Sequence, residues 1–108
     1  MSTEPVERSP AADLTSKQRR HLRGLAHHLK PAVQVGGNGL SEPLIAKVAT
    51  ELEHHELIKV RFAENATVPV KEGAEPLAVA VGAHCAQTIG KIAVLYRMRL
   101  KKPAIELP

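Results

Sequence analysis

The sequence predicts an α/β fold formed by a single domain, with its elements in the order helix, strand, helix, strand, helix, strand, strand. Segments with apolar residues at helical spacing alternate with short β-branched segments, and glycine or proline separates them. The chain has 108 residues, of which 44% are hydrophobic, which suits one core but not two. No internal repeat is visible, so all elements are assigned to one domain.

The first helix is predicted from about Ser16 to Leu29. Thr15 and Gln18 form a capping-box pattern at its start. Its apolar residues recur at helical spacing and are expected to face the core; they are Leu22, Leu25, Ala26 and Leu29.

Basic residues lie on the opposite side of this helix. At 100° per residue that side carries Lys17, Arg20, Arg23 and His27, with Arg19 on the boundary. Gly24 lies on the same exposed side, where glycine costs about 1 kcal/mol relative to alanine. Close approach of a ligand would explain this glycine, and tolerated sequence drift is the alternative.

The next elements follow without long linkers. Pro31 ends the helix, residues 32–35 read as a buried strand, and the glycine-rich segment 36–39 comes directly after it. Ser41 is a good N-cap for a second helix that should end near residue 54 or 55. Residues 57–62 then alternate, which predicts a half-buried strand with Lys59 and Arg61 on the face opposite the apolar residues.

The last third of the domain is predicted to hold a helix and a hairpin. Residues 63–76 must include a loop, and residues 77–81 suit either a strand or a helix; we favour a helix that ends at Gly82. Residues 84–89 and 91–97 are strand-like and are separated by Gly90, which predicts an antiparallel hairpin. The chain is expected to leave the domain after Met98.

These patterns divide the chain into a disordered tail at 1–13, a domain at 14–98, and a basic, then proline-limited tail at 99–108. The first residues lack the basic and apolar blocks of a signal peptide, and the apolar runs are shorter than the roughly 18 residues that a membrane span needs. The single cysteine excludes an internal disulfide. We therefore expect a cytoplasmic monomer with no membrane partner.

Positive charge is concentrated in two blocks of the chain. Residues 14–39 contain five Lys or Arg and no acid, and residues 83–102 contain another five with no acid. The intervening segment is net negative, with four bases against seven acids. If the fold brings the two basic blocks together, they form one face that attracts polyanions. A merely solubilising surface is the alternative.

The glycine-rich segment 36–39 lies between a predicted strand and a predicted helix, where a loop can bind phosphate. Glycine permits a positive φ and close approach, and the N–H groups at a helix start favour an anion. The segment lacks the endings of nucleotide-triphosphate and dinucleotide loops. A G-x-x-G loop between two elements is the form that KH modules use to clamp a nucleic-acid backbone. A tight turn without a ligand is the alternative.

Other function classes have little support in the sequence. With Phe62 and Tyr96 as the aromatic residues and no Trp, stacking of bases on several rings is not expected. The histidines lack metal-ligand spacing, so we expect no metal and no other cofactor. Cys85 follows His84 without a nucleophile motif and is expected to be a core residue. The chain is therefore expected to have no catalytic activity and no small-molecule substrate.

Five ordered blocks resemble the CRM domain (chloroplast RNA splicing and ribosome maturation) in its small, stand-alone bacterial, YhbY-like form. The blocks are LTSKQRRHLRGLAH at 14–27, LKP at 29–31, VGGNGL at 35–40, HHELIKV at 54–60, and IGK at 89–91 with VLYR at 94–97. The resemblance implies a mixed four-stranded sheet packed with helices, as in the C-terminal domain of bacterial translation initiation factor three, and a KH-like G-x-x-G loop. It further implies association with precursors of the large ribosomal subunit through ribosomal RNA.

The glycine loop and the two basic blocks together define the predicted RNA-binding residues. They are Gly36, Gly37, Asn38, Gly39, Lys17, Arg19, Arg20, Arg23, Lys30, Lys91 and Arg97. Phosphate contacts from the basic residues would supply affinity, and the loop would orient the RNA backbone. A protein-interaction adaptor of the assembling ribosome, with weak and salt-insensitive RNA binding, is the alternative function. The RNA element, its sequence specificity and the assembly step are left open.

Overall fold

A computed structural model describes residues 14–99 and 103–108. Within these residues, seven elements follow the predicted order: α1 (Ser16–Ala26), β1 (Pro31–Val35), α2 (Glu42–His55), β2 (Leu57–Phe62), α3 (Val70–Ala80), β3 (His84–Ile89) and β4 (Ile92–Tyr96). The capping box of Thr15 and Gln18 is present at the start of α1, as the sequence predicts. The predicted tail at 1–13 lies outside the described residues.

The four strands form one mixed sheet in the order β1, β2, β4, β3. β1 and β2 are parallel, with Val35 opposite Phe62, whereas β4 runs antiparallel to both β2 and β3. β3 and β4 form the predicted hairpin with its turn at Gly90 and Lys91. The backbone N–H of Phe62 donates to the carbonyl of Lys91 at 2.7 Å. The ends of β1 and β2 and the hairpin turn therefore meet at one end of the sheet.

The main core lies between the sheet and the two helices α2 and α3. Alternation along β2 places Ile58, Val60 and Phe62 on this face, where each is no more than 2% exposed. Val48 and Leu52 of α2 pack against them and are fully buried.

A smaller core lies on the opposite face of the sheet, beneath α1. Leu22 and Ala26 of α1 are buried there against Leu57, Val94 and Tyr96. The first helix ends at Ala26 and not near Leu29 as predicted, and the prediction that its whole apolar stripe faces the core is wrong for Leu25, which is 42% exposed. Leu29 lies beyond the end of the helix and is 37% exposed. α1 covers only part of this sheet face, so the outer edge of its stripe remains in contact with solvent.

The third helix begins earlier than the sequence suggests. The loop predicted within residues 63–76 covers residues 63–69, and Gly73 and Pro76 already belong to α3. Both residues are weak helix formers, but the burial of Ala74 and Leu77 outweighs this propensity. A side chain at position 73 would stand 2.7 Å from Cε2 of Phe62, so glycine lets the helix approach that ring closely.

The described part of the C-terminal segment folds back onto the domain, which differs from the predicted departure after Met98. Glu56 is fully buried and accepts backbone N–H groups from Arg99, Ala104 and Ile105 at 2.8, 2.7 and 2.9 Å. Ile105 and Leu107 pack against the smaller core. Their apolar side chains and the buried carboxylate hold the segment, although proline limits its secondary structure.

Candidate nucleic-acid interface

The glycine-rich segment forms a tight turn at the end of β1. The N–H of Gly39 donates to the carbonyl of Gly36 at 3.0 Å, so Gly37 and Asn38 occupy the two central positions of the turn. Both are exposed. Their backbone N–H groups have no acceptor among the described residues. The turn itself is therefore a candidate anion-binding site.

Gly39 has a separate, structural reason to be glycine. Its φ is +63°, and a Cβ at this position would lie 2.6 Å from Oγ1 of Thr67. The loop after β2 therefore packs directly against the turn. A Cβ at position 37 would only touch Asn65 at 3.7 Å, so the exposed part of the turn tolerates side chains.

The start of α2 contributes fewer anion-binding donors than its position predicts. Ser41 caps the helix and accepts the N–H of Leu44 at 3.3 Å, and Pro43 has no N–H. Glu42 adds a negative charge in the first turn. An anion at this end of the sheet would therefore be held by the turn more than by the helix dipole.

A basic groove lies between α1 and the exposed part of the sheet face. Arg20, Arg23 and His27 of α1 form one wall, and Lys59 of β2 with Gln87 of β3 forms the other. The groove has a volume of about 390 Å³. No acidic residue lines it within the described part of the chain, so its charged residues favour an anionic ligand.

The predicted set of binding residues does not include Lys59. The alternation of apolar and polar residues at 57–62 does place Lys59 on the polar face of this strand. Lys59 and Arg61 belong to the acid-rich middle block of the sequence and lie on the α1 face of β2. Arg61 is exposed and donates to Oε1 of Gln34 on β1 at 3.1 Å. The exposed sheet face thus continues the positive charge of α1 toward the end where the glycine turn lies.

Two of the predicted binding arginines make contacts within the protein. Arg19 is half-buried and donates from Nη1 to the carbonyl of Cys85 at 2.8 Å, which fastens α1 to β3. Arg97 is half-buried and donates to the carbonyl of Val81 at 3.1 Å and to Oε1 of Glu53 at 2.8 Å. Both guanidinium groups therefore form hydrogen bonds between secondary-structure elements of the protein.

The predicted lysines lie in three different places. Lys17 is on the exposed side of α1, and Lys30 precedes β1 at the end of the sheet opposite the glycine turn. Lys91 is in the hairpin turn, near the glycine turn, and forms an ion pair with Glu64. This hydrogen-bonded pairing lowers the pKa of Glu64. Among the described residues, Lys91 and Arg97 of the second basic block therefore do not line the groove formed by the cations of α1. Lys59 is the lysine that lies in this groove with them.

Several other chemistries have no structural basis in the described part of the chain. The rings of Phe62 and Tyr96 are only 1% and 3% exposed, so neither offers a platform for a base. Cys85 is buried in the main core, as predicted, and desolvation by burial raises the pKa of its thiol. Residues 14–99 and 103–108 contain no cluster of three or more metal-ligating side chains. They also contain no helix long and apolar enough to span a membrane.

The fold and the groove define a class: a small α/β domain with a mixed sheet, a glycine turn at one sheet end and an acid-free cationic groove suited to a polyanion. Residues 14–97 match the family described as the CRS1 / YhbY (CRM) domain. The chain belongs to this family, which confirms the resemblance seen in its sequence blocks.

Relatives of similar length support the same assignment. The chain is 43% identical over 95 residues to an "RNA-binding protein" of Haemophilus influenzae, covering 88% of this chain and 95% of the relative. It is 42% identical over 95 residues to the "Probable RNA-binding protein YqeI" of Bacillus subtilis, covering 88% and 99%. The solution structure of the hypothetical protein SAV1595 from Staphylococcus aureus has a TM-score of 0.75 and 42% identity, covering 88% of this chain and 99% of that one.

Proposed function

We propose that this protein binds RNA through the sugar–phosphate backbone and has no catalytic activity of its own. One observation carries the proposal: Arg20 and Arg23 of α1 and Lys59 of β2 line one groove that contains no acidic residue among those described. None of these three side chains forms an ion pair within the described residues. Their charges therefore remain available for phosphate groups.

The glycine turn provides a second contact at the end of the exposed sheet face. The unpaired N–H groups of Gly37 and Asn38 suit a phosphate oxygen, and Lys91 lies in the neighbouring hairpin turn. Gly36 belongs to the same contact, whereas Gly39 shapes the turn. Arg19 and Arg97 support the fold in this proposal and do not touch RNA.

We propose ribosomal RNA in a precursor of the large ribosomal subunit as the ligand in the cell. The relatives named as RNA-binding proteins support the ligand class, and the resemblance of the sequence blocks to YhbY-like proteins supports the ribosomal precursor. The protein would then act in the cytoplasm during ribosome assembly.

Reversal of the charge on α1 tests this function. The double variant Arg20→Glu, Arg23→Glu should bind a transcribed fragment of large-subunit ribosomal RNA at least about tenfold more weakly, because each lost ion pair contributes about 0.5–1 kcal/mol and repulsion is added. Its melting temperature should change little, since both side chains are exposed.

A charge-matched control separates specific contacts from net charge. Lys47 and Lys71 are exposed on α2 and α3, the helices that pack on the other face of the sheet. The double variant Lys47→Glu, Lys71→Glu has the same net charge as the test variant and should retain most of the RNA affinity. Equal affinity of the folded test variant and wild type would contradict the proposal.

The alternative of a protein-interaction adaptor has one structural observation in its favour. An apolar groove of about 360 Å³ lies on the other side of α1, where Leu25 and Leu29 face Leu57, Ile58 and Ile105. Exposed apolar grooves often bind protein segments. Weak RNA binding that does not depend on salt would favour this alternative.

A further inference from the structure

Gly24 occupies an unusual position for a glycine. It lies inside α1, two residues before the helix ends at Ala26, and it is exposed. It also lines the basic groove. Glycine weakens a helix at such a position, since it has the largest backbone entropy to lose.

Nothing within the described protein requires a glycine at position 24. Its φ is not left-handed, so it does not provide the conformation that often ends a helix. A Cβ built at this position meets no atom within 4 Å, so close packing does not exclude a side chain. Residue His27 closes the helix instead, through its N–H to the carbonyl of Arg23 at 3.1 Å.

The neighbours of Gly24 show what the missing side chain leaves open. Residues three or four positions apart are adjacent on a helix, so Arg20 and His27 flank position 24 on the groove side. Lys59 lies on the opposite wall of the same groove, and Val94 contributes an apolar surface. The gap in the helical wall is therefore surrounded by basic side chains.

We propose that Gly24 is a binding residue at which one sugar–phosphate strand of RNA lies directly against the backbone of α1. Arg20 and His27 contact the strand on either side of Gly24, and Lys59 contacts it from the sheet. The inference rests on the proposed RNA-binding function and adds the path of the ligand across α1. The free space outside position 24 belongs to the ligand in this arrangement, which explains a glycine that the fold does not need.

The variants Gly24→Ala and Gly24→Gln test this inference because stability and binding should change in opposite directions. Both residues favour helices more than glycine does, so the melting temperature should rise by about 2–8 °C, more for alanine than for glutamine. Affinity for the ribosomal RNA fragment should fall about threefold for alanine and at least about tenfold for glutamine, in order of side-chain size. A residue with only a structural role would lose stability and binding together.

The variant Ala46→Gln provides the control. Ala46 is exposed on α2, outside the groove lining, so the added side chain should leave RNA affinity within about twofold of wild type. Wild-type affinity in a folded Gly24→Gln variant would overturn the inference, and if that variant failed to fold, wild-type affinity of Gly24→Ala would do so. Failure of the proposed function would look different, since wild-type protein itself would not bind the RNA fragment.

Discussion

Arginine side chains have different roles in this protein, depending on where the fold places them. Arg19 and Arg97 donate hydrogen bonds to backbone carbonyls of other elements, and both are half-buried. Arg20 and Arg23 are exposed and line a groove. The first pair contributes to stability, whereas the second pair gives the surface its charge.

Glu56 shows how a buried charge is accommodated at a single residue. It has a positive φ of 65°, which is rare for a residue other than glycine. Burial raises the pKa of its carboxyl, but the backbone N–H groups of Arg99, Ala104 and Ile105, together with the charge of Arg99, outweigh burial and hold that pKa below its usual value of 4.5. The ionised form therefore holds the C-terminal segment.

The variant Glu56→Gln should be less stable by about 2 kcal/mol. Its amide can still accept through one oxygen, but its NH2 group cannot accept a hydrogen bond from a backbone N–H. Urea unfolding followed by circular dichroism at neutral pH measures the difference. A variant as stable as wild type would show that this carboxylate contributes nothing to the fold.

Acid should remove the same contribution in wild type. The pKa of Glu56 is lower in the folded state, so its stabilisation is present above the unfolded value of 4.5 and is lost as pH falls below that value through the folded pKa. The urea midpoint of wild type should therefore fall toward that of Glu56→Gln in this range. A constant difference between the two proteins down to pH 3 would contradict this assignment.

At the scale of elements, the glycine turn combines two roles in four residues. Gly39 meets a backbone requirement, since its φ is positive and Thr67 packs against it. Gly37 and Asn38 are exposed at the tip, with N–H groups that have no acceptor in the described structure. The N–H groups at the tip are therefore available to a ligand.

Aspartates at the tip should weaken RNA binding sharply. The double variant Gly37→Asp, Asn38→Asp keeps a turn possible and places negative charge at the proposed phosphate contact, so affinity should fall at least about tenfold. Asn38→Ala should reduce it less than about twofold, because the proposed contact uses backbone N–H groups. Filter binding with the ribosomal RNA fragment compares the three proteins, and equal binding by the aspartate variant would mean that the segment is only a turn.

At the scale of the whole molecule, the sheet separates surfaces with different chemistry. α2 and α3 cover one face and enclose the main core, whereas α1 covers part of the other face and leaves the basic groove beside it. The glycine turn lies at the end of the sheet toward which the positive surface of β2 extends. One RNA strand could therefore contact both the groove and the turn.

This arrangement predicts a strong dependence of RNA affinity on salt. If about four or five phosphates of single-stranded RNA are contacted, the log–log slope against salt concentration should be near −3, at roughly −0.7 per contact. Titrations across a salt series measure the slope, with the variant Arg20→Glu, Arg23→Glu expected to give a shallower one. A flat dependence for wild type would favour the protein-adaptor alternative.

The sequence by itself determined the order of all seven elements and most of their bounds. Local signals were sufficient because the capping box at Thr15, the N-cap at Ser41 and the alternation of residues 57–62 each act within a few residues. The family followed from ordered blocks of residues. The position of the glycine turn between β1 and α2 was also predictable, since both neighbours had clear local patterns.

Tertiary structure alone decided which charges meet in the groove and where the C-terminal segment lies. Arg97 donates to the carbonyl of Val81, whereas Lys59 lies in the groove beside the cations of α1. Pairing within the sheet sets these neighbours, and distance along the sequence does not.

The start of α3 depended on burial of Ala74 and Leu77, which outweighs the local effects of Gly73 and Pro76. The C-terminal segment is held by Glu56, a residue more than 40 positions away. Long-range contacts of this kind leave no periodic signal in a single sequence, whereas helices and strands do.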